Sequence, residues 1–149
     1  MKIQKLLPLL GVVLVLVGCS REVKVRPSSD LPSQEITASA PAGSYKVVFL
    51  NTAGILHRMD STDLLRISVN GKYYGQIGSY EYMQLFLNKG THTVSLVHYD
   101  VGEFKSEHNL KVSGNMFVDS SPTIFSNELE VLDSEPKDFK SEFKAAYWE

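Results

Sequence analysis

The sequence predicts a small, mainly β domain, an antiparallel sandwich or barrel, with one short C-terminal helix. A signal peptide and a flexible tether precede it. Three observations predict this arrangement. Apolar residues recur at every second position in run after run, which is the strand period. Gly, Asn, Asp and Ser punctuate those runs about every 8–12 residues, the spacing of an all-β domain. From Ser134 onward the aromatic spacing changes to that of a helix.

The chain begins with Lys2 and Lys5, followed by an uncharged stretch from Leu6 to Val17. That stretch is shorter than the roughly 20 apolar residues a spanning helix needs. Its layout is that of a secretory signal. It ends in Leu16-Val17-Gly18-Cys19, and Cys19 is the only cysteine of the chain. These four residues resemble the bacterial lipobox. The resemblance implies a signal peptide over 1–18 and a diacylglycerol on the Cys19 sulfur. It also implies acylation of the Cys19 amine freed by cleavage. A lipidated Cys19 leaves no thiol for catalysis, metal binding or an internal disulfide. One acyl chain gives only marginal membrane binding, whereas two or more give a lasting anchor. Ser20 follows the cysteine, where aspartate would mark inner-membrane retention in enteric bacteria. By that analogy the expected location is the inner leaflet of the outer membrane, facing the periplasm.

Residues 19–44 are the lipidated N-terminus and linker. Pro27, Pro32 and Pro41 interrupt any helix or strand there. A flexible chain of this length has an r.m.s. span of about 25–30 Å. Without Lys2 and Lys5, the mature chain has thirteen Lys and Arg against seventeen Asp and Glu. A mildly acidic body of this kind is expected to stand off an anionic leaflet. The balance also lacks the positive excess that marks nucleic-acid binding.

The β domain is expected over 45–133. Tyr45 to Leu50 is a run of strand formers. A polar loop, His57 to Asp63, follows. Leu65, Ile67 and Val69 alternate with polar residues up to Asn70-Gly71, the strongest short hairpin signal. Lys72 to Ile77 is the return strand. Tyr82 to Leu87 places Met83, Leu85 and Leu87 on one face and Tyr82, Gln84 and Phe86 on the other. Asn88-Lys89-Gly90 turns the chain into Thr91 to Tyr99. Phe104 to Val112 alternates cleanly as an edge or hairpin strand. Met116 to Asp119 and Glu128 to Leu132 complete the set. Over 134–149 an amphipathic helix of about three turns is expected. Ser134 would cap it, and Phe139, Phe143 and Tyr147 would form one stripe.

The stretch Ile67-Ser-Val-Asn-Gly-Lys-Tyr-Tyr-Gly-Gln-Ile-Gly78, with Leu87-Asn-Lys-Gly-Thr-His-Thr-Val-Ser-Leu96, resembles the PEGA type of β-sandwich repeat. It is also similar to a related family of small bacterial lipoproteins of unknown function. Asn70, Gly71, Lys72 and Gly75 match the first half of the pattern; Gly90, His92 and Val94 match the second. Lys89 stands where proline is usual. The resemblance implies a prealbumin- or immunoglobulin-like sandwich and no activity, since fold alone never gives function.

No residue constellation points to catalysis. His92 and His98 lie on one strand about 20 Å apart and cannot share a zinc ion. His92 is expected to bond backbone at its turn, His108 to sit satisfied on an apolar face, and His57 to be solvated. There is no phosphate cradle and no Gly-x-Ser-x-Gly elbow. No cofactor or metal is expected beyond the acyl chains, and the chain reads as a non-enzyme. The aromatic side chains Tyr74, Tyr80, Tyr82, Phe86, Phe139 and Phe143 are the candidate partner surface, since aromatic groups suit interfaces. The preferred reading is that the second sheet and the C-terminal helix cover both faces of the strand from Tyr82 to Leu87, and that the Phe139 and Phe143 stripe packs as core. Tyr73, Tyr74, Tyr80 and Tyr82 are expected to cluster along one hairpin and its exit loop. The leading functional expectation is a membrane-anchored adaptor that binds an envelope partner. A glycan- or peptidoglycan-binding module is the alternative, and a hydrolase or metal protein comes third.

Overall fold

Alternating strands leave one apolar face each, and two sheets must meet to bury those faces. The chain does this in a computed structural model that describes residues 40–53 and 63–146. The strands are β1 (Ser44–Leu50), β2 (Leu65–Val69), β3 (Lys72–Ile77), β4 (Glu81–Asn88) and β5 (Gly90–Tyr99). They continue with β6 (Glu103–Val112), β7 (Met116–Pro122) and β8 (Asn127–Leu132). A single helical turn, α1 (Phe139–Glu142), and a two-residue strand, β9 (Lys144–Ala145), end the described chain. One sheet has the order β8-β7-β1-β4-β9, and the other has the order β3-β2-β5-β6. The expected β-sandwich is therefore what the chain forms. The leader, the lipobox residues Leu16, Val17, Gly18 and Cys19, His57 and Tyr147 lie outside the described residues.

Val47, Phe49, Met83, Leu85, Leu87 and Val118 of the first sheet face Leu65, Ile67, Val69, Ile77, Val94, Leu96, Leu110 and Val112. All are buried. Most pairings are antiparallel, but β1 runs parallel to β7, with Val47 opposite Met116 and Leu50 opposite Asp119. This pairing defines two poles. The N-terminal chain enters β1 at the pole that carries the Asn70-Gly71 and Asn88–Gly90 turns, because Ser44 lies opposite Asn88. The β5–β6 and β7–β8 turns lie at the other pole.

The Asn70-Gly71 turn has positive φ at both residues, 51° and 78°, as a type I′ hairpin requires. Asn70 also ties this hairpin to β5. Its Oδ1 accepts the Thr93 amide at 3.0 Å, and its Nδ2 donates to His92 Nδ1 at 2.9 Å. His92 Nε2 then donates to the Asn88 carbonyl at 2.8 Å, so one imidazole links two turns.

β2 and β3 slip register between Ile67 and Ser68, which lie opposite Gly75 and Tyr73. Tyr74 is the extra residue of this bulge, and Gly75 takes φ 139° there, a conformation that favours glycine. A bulge on an edge strand discourages sheet-to-sheet aggregation.

Two buried asparagines join the sheets at the far pole. Asn51 Nδ2 donates to the carbonyls of Asp63 at 2.7 Å and Ile77 at 3.0 Å, and its Oδ1 accepts the Ala53 amide. Asn127, at the start of β8, reaches into the opposite sheet. Its Nδ2 donates to Leu96 O and Phe104 O, each at 3.0 Å. Its Oδ1 therefore faces His98, whose Nδ1 donates across 2.7 Å. His108 Nε2 donates to the Asn127 carbonyl at 3.1 Å, so this histidine is satisfied as expected.

The C-terminal segment departs from the expected three-turn helix. Among its described residues only Phe139–Glu142 is helical, Asp138 rather than Ser134 precedes it, and no side-chain cap is made. Phe143 is already extended, with ψ 138°. The physical reason is edge pairing. Lys144 N donates to Tyr80 O and Ala146 N to Tyr82 O, both at 2.9 Å, so the backbone finds partners on β4. A helix this short satisfies few of its own terminal groups and yields to the sheet.

Truncating Asn127 to alanine leaves the buried Leu96 carbonyl, the partly buried Phe104 carbonyl and the His98 Nδ1 donor without this partner. The expected loss is about 3 kcal/mol, read from urea unfolding. A loss under about 0.5 kcal/mol, as for a surface change, would contradict the structure.

Candidate functional site

The predicted interface residues do not form one surface. β3 and β4 belong to different sheets, so Tyr74 is separated from Tyr80 and Tyr82. This corrects the expected clustering along one hairpin. Tyr74 packs against the core, with Lys72 Nζ 5.1 Å from its ring centre. Phe86 lies half-buried on the outer face of β4, directly opposite Lys46. It sits toward the pole where the N-terminal chain enters.

Tyr80, Tyr82, Phe139 and Phe143 do come together, but against one another. Phe139 meets Tyr82 at 4.9 Å and Phe117 at 5.2 Å between ring centres. Phe143 meets Tyr80 at 5.6 Å and Phe139 at 5.9 Å. Tyr82 is on β4 and Phe117 on β7, with β1 between them. Phe139 must therefore lie over β1. This accounts for the burial of Val48 and Leu50 on the outer face of that strand, at 2% and 0% exposure. The segment acts as a strap across the sheet. Its tilted and edge-on aromatic contacts are the favourable geometries for such rings. Phe117 is the member of this cluster absent from the predicted set.

Large apolar groups are exposed elsewhere. Val101 is 94% exposed at the β5–β6 turn, and Phe125 is 80% and Ile124 63% exposed at the β7–β8 turn. The Phe125 ring lies 6.4 Å from that of Phe104, which itself stacks on His98 at 5.1 Å. The two turns are held side by side by the Asn127 bonds to β5 and β6. A sequence signal existed: apolar residues stand inside Asp100-Val101-Gly102 and Thr123-Ile-Phe-Ser126, where turns normally carry polar ones.

The border of this pole is acidic. Asp100, Glu103 and Glu128 are exposed there. Tyr99 donates its hydroxyl to Glu103 at 2.5 Å and accepts from Arg66 at 3.1 Å. That bond to Glu103, more than burial, raises the Tyr99 pKa above its ordinary value. Asp119 stands opposite Glu130 on the neighbouring face, and both its oxygens accept the Thr52 hydroxyl at 2.8 Å. Burial holds the Asp119 carboxyl above the ordinary carboxylate range. The Thr52 bonds oppose this, while Glu130 and Glu128 add to it. Among the described residues, no three His, Cys, Asp or Glu side chains converge on a point that could hold a metal ion. No protein-family model matches the chain, and no curated protein matches it significantly.

Two measurements check this description. Phe139→Ala should cost about 2 kcal/mol, below the roughly 3–5 kcal/mol of a fully buried phenylalanine, because the strap is half-buried. Phe125→Ala should stay within about 0.5 kcal/mol of the parent. Equal effects in the two variants would contradict the contrast between strap and tip.

Asp119 supplies the second. A raised folded-state pKa contributes stability below the unfolded value of about 3.9 and loses it as pH rises through the folded value. Asp119→Asn should therefore gain on the parent in urea midpoint between pH 3 and pH 7. An offset that does not change with pH would contradict the assignment.

Proposed function

We propose that the chain is a lipid-anchored, non-catalytic β-sandwich of the bacterial envelope, of the PEGA-like kind, that docks an envelope protein. Cys19 carries the acyl chains, and residues 20–44 link it to the domain on the periplasmic face of the outer membrane. The observation that carries the docking role is the exposed pole formed by Val101, Ile124 and Phe125. Side chains of this size exposed together at one end of a small domain mark an interaction site more often than chance surface. The pole stands opposite the entry of the N-terminal chain, so a tethered domain keeps it free to meet a partner. Its border of Asp100, Glu103 and Glu128 favours a partner recess edged by Lys and Arg. The aromatic strap residues hold the fold, and the docking role moves from them to the turns.

In-cell photo-cross-linking from position 125 tests this proposal. The lipidated chain should give a discrete adduct with one envelope protein. Cys19→Ala behind a cleavable signal should lose that adduct and leave the membrane fraction. Absence of any protein adduct in the lipidated form would overturn the docking role. A Cys19→Ala chain that stays with the membrane would overturn the anchor.

A further inference from the structure

Net charge conceals how the charges of this domain are arranged. Lys46 lies near the start of β1, opposite Phe86, and Lys72 follows the Asn70-Gly71 turn. Lys89 lies in the β4–β5 turn, and Lys111 pairs with Thr91 beside it. All four stand at the pole where the N-terminal chain enters. Lys72, Lys89 and Lys111 are exposed and Lys46 is half-buried. The single ion pair among the described residues, Lys105–Glu107, does not include any of them. Among the described residues, acids outnumber bases at the far pole, where the cations include Arg66 and Lys144. Asp100 and Glu103 flank the β5–β6 turn, Glu128 follows the β7–β8 turn, and Asp119 and Glu130 lie behind it.

We infer that the lysine pole, Lys46, Lys72, Lys89 and Lys111, seats the domain on the anionic leaflet in which its own acyl chains are held. This inference rests on the lipid anchor proposed above. The chain that leads to Cys19 enters the domain at this pole, so the tether brings these lysines, and no others as readily, to the lipid surface. The length of chain between Cys19 and Ser44 is enough for contact without forcing it. Each lysine held near an anionic leaflet improves partitioning roughly fivefold, and the attraction fades within about a Debye length. The acidic far pole is repelled by the same surface. Attraction at one end and repulsion at the other turn the domain upright, with Val101, Ile124 and Phe125 directed away from the membrane. A domain with a mildly negative total therefore does not stand off the leaflet; it stands on it by one end.

The test uses the full lipidated chain reconstituted into vesicles, with a label on a cysteine introduced by Thr91→Cys in one sample and Ser126→Cys in another. Cys19 is acylated, so each sample carries one reactive thiol. Energy transfer from the label to a headgroup dye reads the distance to the leaflet. Vesicles of phosphatidylethanolamine and phosphatidylglycerol should bring the position 91 label close and leave the position 126 label distant. Vesicles of phosphatidylcholine alone, or about 1 M salt, should shrink the difference to the smaller one that the point of tether entry sets. Lys89→Glu with Lys111→Glu should shrink it likewise, and both side chains are exposed, so the fold should persist. Equal distances for the two labels on anionic vesicles would overturn the inference, as would a difference insensitive to charge reversal. Failure of the anchor itself is read separately, as chain that does not enter the vesicle fraction.

Discussion

The Asn127 side chain leaves its own sheet and donates to two carbonyls of the other. Much of the far pole depends on that crossing. Sheet-to-sheet contact in a sandwich is mostly apolar and non-directional, so it fixes a distance better than it fixes a register. A buried amide that satisfies carbonyls on β5 and β6 and accepts from His98 adds direction. It sets where β8 begins, and hence where the β7–β8 turn is held relative to the β5–β6 turn. Asn51 performs the same task nearby, joining the end of β1 to Ile77 and Asp63. Partly satisfied polar groups in such a place would be costly, whereas fully satisfied ones specify a single arrangement.

The strap shows a second constraint, imposed by a central strand that is apolar on both faces. Val47 and Phe49 face the core, and Val48 and Leu50 face outward, yet all four are buried. The outward pair needs a cover, and Phe139 supplies it while its neighbours Tyr82 and Phe117 flank it. The aromatic groups that a reader of the sequence would offer to a partner are thereby taken up inside the chain. Among the described residues, the most exposed large apolar side chains stand at the turns instead.

Several features were legible in the sequence because local chemistry decides them. Asn70-Gly71 had to turn, since few other residue pairs accept positive φ twice in succession. The alternations in β2, β4 and β6 had to become strands with the observed faces buried. Other features depend on distant partners. Nothing local marks Asn51, Asn127 and His98 for burial, and only the fold shows the hydrogen-bond partners that wait for them. The parallel pairing of β1 with β7 has no local signature. The spacing of Phe139 and Phe143 fits a helix, but it fits equally a chain that turns once and then joins a sheet edge. The run Val47-Val48-Phe49-Leu50 was the overlooked clue, because an unbroken apolar strand is one covered on both sides.

The account joins these constraints into a domain with two unlike ends, a lysine end at the incoming chain and an apolar, acid-bordered end held by Asn127. Its central claim is that the apolar end is a built feature, held as firmly as the strands beneath it. Backbone amide relaxation by NMR tests that claim directly, across residues 99–103 and 121–128. The account predicts order parameters close to those of the strand interiors, about 0.85. Values below about 0.6 at Val101, Ile124 and Phe125 would show two loose turns instead of a presented surface, and would contradict it.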